Sequence, residues 1–303
     1  MVQFPVSIVD LPRADELTNR SSAICRVPKP PQARFPLPPG AAMRNQPEFA
    51  DPTLTLPPPI NLLGLPIVPW HHYEVIQVID WLVQRGTPSY FITANLHYAR
   101  LSASVEALQS VNSQAAFIVA DGMPLVWMSR LLGRPLPERV TGADLVWSMC
   151  ELAADKGYRI FLLGGAPGVA ETAGQRLQAR FSGLAIAGVA APNLDKMSAD
   201  DEARLIAQIR KAKADILFAA LGQPKGELWL ARNLTSIGVA VAVQIGAALD
   251  FVAGRVRRAP QIIQQLGMEW AYRIFQEPQR LFPRYWADGW FFLRQLLHLR
   301  HSR

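Results

Sequence analysis

The chain has 303 residues, of which 50% are hydrophobic and 18% are charged, so it suits one large domain or two small ones and is too apolar for global disorder. The formal net charge is +7, and the two cysteines are Cys25 and Cys150; this content excludes a disulfide framework and favours a reducing cytoplasm. No apolar run approaches the roughly 18 residues of a membrane span, and the N-terminus lacks a signal-peptide pattern.

Proline dominates the start of the chain. Residues 1–59 contain 13 of the 25 prolines. Proline fixes φ and removes a backbone donor, so regular structure is disfavoured in such a segment. We predict a flexible, disordered, Pro-rich extension over residues 1–59.

From Ile60 onward, short apolar runs alternate with amphipathic stretches, which is typical of βαβ units. The predicted strands are 61–65, 89–93, 116–120, 159–163, 184–189, 215–219 and 239–243. The predicted helices are 73–84, 96–109, 124–132, 144–156, 169–181, 199–211 and 225–233. Because continuous apolar strands are covered on both faces, the pattern predicts an α/β fold, a Rossmann-like and mostly parallel sheet flanked by helices, over residues 60–254.

The end of the chain has a different sequence pattern. After Phe251 the strand pattern stops, and short helices are predicted with breaks at Gly267, Pro278 and Pro283. Residues 255–303 contain nine arginines and three acidic residues, so most of the excess positive charge lies there. Such a block favours phosphates, nucleic acid or an anionic membrane surface. We predict a basic and aromatic helical appendage over residues 255–303.

Polar side chains follow two predicted strands at the edge where ligands bind in open parallel sheets. Thr93 and Asn95 follow the strand 89–93, and Asp121 follows the strand 116–120. A carboxylate at that edge can take a proton from an attacking hydroxyl group. Each of these residues could instead cap the helix that comes next, so both interpretations stay open.

Further polar sequence follows the later strands. Gly164 and Gly165 form a strand–turn–helix junction, where free backbone N–H groups suit a phosphate, although the dinucleotide spacing and the P-loop lysine are missing. Gln223, Lys225 and Arg139 could contact a sugar or a phosphate. The alternatives are an unliganded glycine turn and solvated loops. No metal-binding or serine-hydrolase motif is present, so we predict no metal site.

Taken together, the motifs from about residue 60 to 285 resemble one family, the WecG/TagA/CpsF glycosyltransferases (glycosyltransferase family 26) of bacterial surface-polymer synthesis. The resemblance is carried by Thr93-Ala94-Asn95, Ala120-Asp121-Gly122, residues 137–144, Phe161-Leu162-Leu163-Gly164-Gly165, Gly222-Gln223-Pro224-Lys225, residues 250–254, Arg258-Ala259-Pro260 and Leu266-Gly267-Met268-Glu269-Trp270. One departure is Gly226, because the family usually has glutamine there.

The resemblance implies an activity and its residues. A hexose or N-acetylhexosamine would move, with inversion and without a metal or cofactor, from a UDP-sugar of the UDP-N-acetylmannosamine or UDP-glucose type to a polyprenyl-diphosphate-linked sugar in exopolysaccharide synthesis. Asp121 would be the base, with Thr93 as a second catalytic residue. The implied substrate or nucleotide contacts are Asn95, Arg139, Gly164, Gly165, Gln223, Lys225 and Asp250. The implied diphosphate or lipid-acceptor contacts are Arg258, Arg273 and Arg280.

The last predicted helix suits a membrane surface. Trp286, Trp290, Leu293 and Leu297 recur at steps of four and three residues among arginines, and such a helix can lie on an anionic leaflet. We therefore expect a cytoplasmic protein, peripheral on the inner face of the plasma membrane, without a nucleic-acid partner. A core-packing or oligomer-forming helix is the alternative. The competing functions are a non-catalytic membrane-associated nucleotide-binding protein and a Rossmann-type oxidoreductase.

Overall fold

An eight-stranded sheet forms the centre of the protein in a computed structural model, which describes residues 51–301. The strands are β1 (Ile60–Leu62), β2 (Leu65–Ile67), β3 (Ser89–Ala94), β4 (Ile118–Ala120), β5 (Arg159–Gly164), β6 (Ala185–Ala190), β7 (Ile216–Ala220) and β8 (Val241–Gln244). Their order is β1-β2-β4-β3-β8-β7-β5-β6. The β1–β2 pair is antiparallel and the other pairs are parallel. Most of the predicted Pro-rich extension, including Cys25, lies outside the described residues.

From β2 onward one or two helices separate each strand from the next, and the last four described helices follow β8. The helices are α1 (His72–Arg85), α2 (Leu96–Ser104), α3 (Ala107–Gln114), α4 (Met123–Leu131), α5 (Gly142–Lys156), α6 (Val169–Arg180), α7 (Ala199–Ala212), α8 (Lys225–Ile237), α9 (Ala248–Val252), α10 (Gln261–Gln265), α11 (Glu269–Gln276) and α12 (Pro278–His301). A 3-10 turn, Pro52–Leu54, precedes β1.

Helices cover both faces of the sheet, as the apolar strands require. On one face, α1, α5, α6 and α9 pack against strand residues such as Phe91, Phe218 and Val243. On the other face, α2, α3, α7 and α8 pack against residues such as Ile92 and Leu217. The prediction of an α/β fold with a mostly parallel sheet, flanking helices and a helical C-terminal segment is confirmed.

The first predicted strand, 61–65, is wrong. The chain there forms a hairpin, with β1 and β2 joined by Leu63 and Gly64, whose φ angles are 55° and 82°. Two successive residues with positive φ form the tight turn that joins antiparallel strands. The side chain of Asn61 accepts a hydrogen bond from the Gly64 N–H at 3.1 Å, which stabilises the turn.

Two helix boundaries also differ from the prediction. The predicted helix 96–109 is divided, because Val105 adopts an extended conformation between α2 and α3. The predicted break at Pro283 is wrong, since α12 continues through it. A proline removes one helical hydrogen bond, and α12 offsets this loss by burying Leu281 and packing Phe291 against the core beside α2.

The three last helices belong to the same compact unit as the sheet. The predicted boundary between residues 254 and 255 is based on composition and stays a prediction. Between residues 51 and 301, no helix combines the length and the hydropathy needed to cross a bilayer.

Candidate active site

A cavity of about 530 Å³ lies at the edge of the sheet where β3, β4, β7 and β8 end. The loops after these strands form its floor, and residues of α11 and α12 form the opposite wall. Ligands of open parallel sheets bind at this edge, beyond the carboxyl ends of the strands. The cavity therefore places side chains from the sheet opposite side chains from the C-terminal segment.

Asp121 follows β4 directly and lines the cavity. Its backbone N–H donates to the carbonyl oxygen of Ala94 at 2.7 Å, so the residue extends the pairing of β3 with β4. Its Oδ2 atom accepts a hydrogen bond from the Gly142 N–H at 3.2 Å. Helix α4 begins after Gly122 without a side-chain cap, so the interpretation of Asp121 as the cap of the next helix is wrong.

The environment of Asp121 changes its affinity for protons. Burial raises the pKa of Asp121 from 3.8 to about 7, with smaller upward contributions from Glu269 and Asp144. The Gly142 N–H and Arg139 oppose this shift. A carboxylate with a pKa near neutrality is ionised in part at pH 7 and is a stronger proton acceptor than an ordinary aspartate.

Thr93 and Asn95 come from the end of β3 and also line the cavity. Thr93 is buried, and its hydroxyl donates to the carbonyl oxygen of Gln244 at 3.0 Å, across to β8. The side-chain oxygen of Asn95 accepts from the Tyr98 N–H at 3.0 Å and caps α2. Asn95 therefore combines the two interpretations that the sequence left open, a helix cap and a cavity residue.

A chain of ion pairs runs along one side of the cavity. Arg139 Nη1 lies 3.1 Å from Glu269 Oε2, and Arg258 Nε lies 3.4 Å from Glu269 Oε1. Arg258 also donates to both carboxylate oxygens of Asp144. The positive charge of Arg258 is therefore compensated by two carboxylates, although its side chain lines the cavity.

Three further arginines, Arg273, Arg280 and Arg284, form the arginine wall on the side of α11 and α12. The Nε atoms of Arg273 and Arg284 are buried without a hydrogen-bond partner. Burial lowers the pKa of Arg284, and the neighbouring Arg273 and Arg280 add to this effect. Buried donors and crowded positive charges of this kind favour an anionic ligand.

Among residues 51–301, no three His, Cys, Asp or Glu side chains come together in a way that could hold a metal ion. The positively charged groups described for this cavity are the guanidinium groups of arginines. Guanidinium groups can bind a negatively charged ligand through charge-assisted hydrogen bonds.

The sequence model of the glycosyl transferase WecG/TagA/CpsF family matches residues 60–303. The chain belongs to this family. It is 31% identical over 192 residues to the N-acetylglucosaminyldiphosphoundecaprenol N-acetyl-beta-D-mannosaminyltransferase of Bacillus spizizenii, which covers 63% of this chain and 73% of that protein. An enzyme of the same name from Staphylococcus aureus strain MW2 is 30% identical over 227 residues, or 73% of this chain and 86% of that protein.

Membership of the WecG/TagA/CpsF family makes the protein a glycosyltransferase. It decides against the two competing functions, the oxidoreductase and the non-catalytic nucleotide-binding protein. The cavity brings together most of the site residues that the sequence singled out. These are Thr93, Asn95, Asp121, Arg139, Gln223, Asp250, Arg258, Arg273 and Arg280.

Three predicted contacts of this glycosyltransferase, Gly164, Gly165 and Lys225, are not among the residues that line the cavity. Gly164 ends β5 beside β7, where a Cβ atom would lie 2.5 Å from the carbonyl oxygen of Ala220. The Lys225 ammonium group pairs with Asp195. Their roles as nucleotide contacts stay predictions, and the geometry supplies a packing role for Gly164.

Gly226, which stands where the family usually has glutamine, packs against the side chain of Gln244. A Cβ atom on Gly226 would lie 2.4 Å from Nε2 of Gln244. The Gln244 side chain is buried, and its Oε1 atom accepts a hydrogen bond from the Leu221 N–H at 3.2 Å. In this member of the family, the space beside position 226 therefore holds the Gln244 amide.

Sequence reasoning assigned no role in the site to Glu269, Arg284 or Asp288. Asp288 is 2% exposed and accepts hydrogen bonds from His97 Nδ1 at 3.1 Å and Arg100 Nε at 2.7 Å. A signal was available, because Glu269, Glu277 and Asp288 are the three acids of a strongly basic segment. Each of the three lies close to an arginine.

Proposed function

We propose that the protein transfers a hexose or an N-acetylhexosamine from a UDP-sugar to a polyprenyl-diphosphate-linked sugar, with inversion at the anomeric carbon and without a metal ion. Donors of the UDP-N-acetylmannosamine or UDP-glucose type fit this proposal. The observation that carries it is the shared cavity, which contains both a carboxylate of raised pKa, Asp121, and the arginine wall. The names of the two relatives support a lipid-linked acceptor.

The chemistry needs one proton acceptor and one anion-stabilising surface. The acceptor hydroxyl oxygen attacks the anomeric carbon, the bond from that carbon to UDP breaks, and the hydroxyl proton passes to Asp121. Asn95 and Thr93, at the end of the neighbouring strand, lie beside this carboxylate in the cavity wall. The inverted configuration follows because attack and departure occur on opposite faces of the sugar.

The departing UDP gains negative charge, which positively charged donors in a partly dry site stabilise strongly. Arg139, Gln223 and Asp250 lie on the cavity surface and are our proposed donor contacts. Arg273, Arg280 and the additional Arg284 are proposed to bind diphosphate groups. Arg258 also lines the cavity, but its charge is already compensated by Asp144 and Glu269, so we propose a supporting role for it.

A lipid-linked acceptor requires access to a membrane, and α12 has a face suited to it. Phe282, Trp286 and Trp290 are 56%, 71% and 60% exposed, and Leu293 and Leu297 are also exposed on this helix. Exposed aromatic residues interspersed with arginines bind an anionic interface. We propose that the protein is peripheral on the cytoplasmic face of the plasma membrane, with α12 against the lipid.

A donor panel tests the proposed reaction. The full chain is incubated with UDP-N-acetylmannosamine, UDP-N-acetylglucosamine or UDP-glucose and a polyprenyl-diphosphate-linked sugar, and the glycolipid product is measured by mass spectrometry. One donor should give a product longer by one sugar, and Asp121→Asn should reduce its rate by about 100-fold or more. Asp155→Asn, an exposed change on α5, is the control and should leave the rate unchanged. Full activity of Asp121→Asn, or release of UDP without a lengthened lipid, would contradict the proposal.

A further inference from the structure

Glu269 joins three parts of the fold at the edge of the cavity. It is the first residue of α11, and its side chain is 15% exposed. One carboxylate oxygen accepts from Arg139, which precedes α5, and the other accepts from Arg258, which follows α9. Arg258 in turn holds Asp144 in the first turn of α5. A single carboxylate therefore connects the C-terminal helices to the floor of the cavity.

The position of Glu269 determines where Arg139 directs its charge. Arg139, Glu269 and Asp121 all line the same cavity, and Asp144 already holds Arg258. Without the Glu269 carboxylate, the Arg139 guanidinium would be attracted toward Asp121 by the same Coulomb force that now draws it to α11. An ion pair between Arg139 and Asp121 would weaken the carboxylate as a proton acceptor.

We propose that Glu269 is a positioning residue for glycosyl transfer, which directs the Arg139 guanidinium toward α11 and thereby keeps Asp121 able to accept the acceptor proton. The inference rests on the proposed function of Asp121 as the base. It adds the residue that controls the surroundings of this base, and it makes the docking of α11 a condition for an active site.

The groups that face Asp121 shift its pKa in the directions that a positioning role for Glu269 requires. Arg139 and the Gly142 N–H lower the pKa of Asp121, whereas Glu269 on α11 and Asp144 on α5 raise it. Removal of the Glu269 charge lowers the pKa of Asp121 in two ways. The repulsion between the two carboxylates is lost, and Arg139 is free to move toward Asp121. Asp121 would then lose its proton at a lower pH.

The experiment compares Glu269→Gln, which keeps the shape and removes the charge, with Glu269→Asp, which keeps the charge on a shorter side chain. Glu151→Gln, the same chemical change at an exposed site on α5, is the matched control. The pH dependence of kcat/KM for transfer is measured on the full chain. For Glu269→Gln the acid limb should move to lower pH by about half a pH unit or more, and kcat should fall by about tenfold. In Glu269→Asp and Glu151→Gln, the acid limb of the pH profile of kcat/KM should stay at its original pH.

A second measurement separates this inference from the proposed reaction. The carboxyl carbon of Asp121 is assigned by NMR through its absence in Asp121→Asn and is titrated in each variant. A lower titration midpoint in Glu269→Gln supports the positioning role even if no donor is transferred by the original protein, in which case only the proposed function fails. An unchanged midpoint and an unmoved acid limb in a folded Glu269→Gln overturn the positioning role, whatever happens to the rate.

Discussion

The Gly142 N–H donates a 3.2 Å hydrogen bond to Oδ2 of Asp121, and this contact joins the end of β4 to the beginning of α5. Gly142 can approach this closely because it has no side chain. A Cβ atom there would lie 3.3 Å from the Ile245 backbone and 3.4 Å from the Thr93 hydroxyl. The first turn of α5 therefore fits between β3, β4 and β8, and it holds the carboxylate at the point where these strands end.

The raised pKa of Asp121 makes the stability of the protein depend on pH. Between the ordinary value of 3.8 and about 7, the folded state holds a proton that the unfolded state has lost, so the free energy of unfolding falls as the pH rises. A neutral amide in place of this carboxyl group removes the cost of ionising a buried group at high pH. We expect Asp121→Asn to be more stable than the original protein at pH 8 by about 2–4 kcal/mol, with little difference at pH 4. Urea unfolding at both pH values measures the effect, and an equal difference at the two would contradict it.

Gly164 should be intolerant of a side chain because of packing. Its φ is 103°, and a Cβ atom would lie 2.5 Å from the Ala220 carbonyl oxygen. We expect Gly164→Ala to lower the free energy of unfolding by about 3 kcal/mol or more. Gly133→Ala, with a φ of 71° and open space around the new methyl group, should cost about 1 kcal/mol. Equal losses in urea unfolding would show that the contact with β7 is not the cause.

Asp288 should hold α12 against the rest of the protein. The buried carboxylate is paired with His97 and Arg100 on α2, and removal of one partner of a buried ion pair costs about 3–5 kcal/mol. We expect Asp288→Asn to increase amide hydrogen exchange throughout α12 and to leave α8 protected. Asp155→Asn, at an exposed position, should change neither helix. Uniform loss of protection would instead indicate general destabilisation.

The exposed tryptophans of α12 should contribute to membrane binding and little to stability. The double variant Trp286→Ala/Trp290→Ala should bind vesicles that contain anionic lipid at least about tenfold more weakly, because each buried aromatic side chain contributes about 1.5–3 kcal/mol. Its thermal midpoint should stay unchanged, since both side chains are largely exposed. Tyr73→Ala, an exposed aromatic on α1, is the control in a sedimentation assay. Equal binding of all three proteins would place the lipid contact elsewhere.

Local patterns were sufficient to predict most of the fold. The buried strands β3, β5, β7 and β8 are largely apolar, and their ends were located to within two residues because a polar residue or a glycine lies within two positions after each strand end. The hairpin at Leu63 and Gly64 was missed because its two strands have only three residues each. The continuation of α12 through Pro283 could not be predicted, since it depends on packing against residues far away in the chain.

The site residues at strand ends were predicted from the sequence. The site residues that form ion pairs with distant parts of the chain were missed. Asp121 and Asn95 occupy the edge at which parallel strands finish, which chain order alone implies. Glu269 and Asp288 contact residues 130 and 191 positions away, at Arg139 and His97. Local sequence carries no information on which arginine a distant carboxylate will compensate. The compensated Arg258 and the buried Nε atoms of Arg273 and Arg284, which have no hydrogen-bond partner, therefore became distinguishable only in three dimensions.

The two sides of the cavity come from segments that lie far apart in the polypeptide chain. The carboxylate belongs to an early strand of the sheet, whereas the arginine wall and the aromatic face belong to the last two helices. On the proposed function, changes to the arginines and aromatic residues of that final stretch would alter how the lipid-linked sugar is bound, while Asp121 stays in place. Glu269 is the exception, because it lies in the same stretch and contacts Arg139. A family built in this way can vary its acceptor contacts as long as that one ion pair is kept.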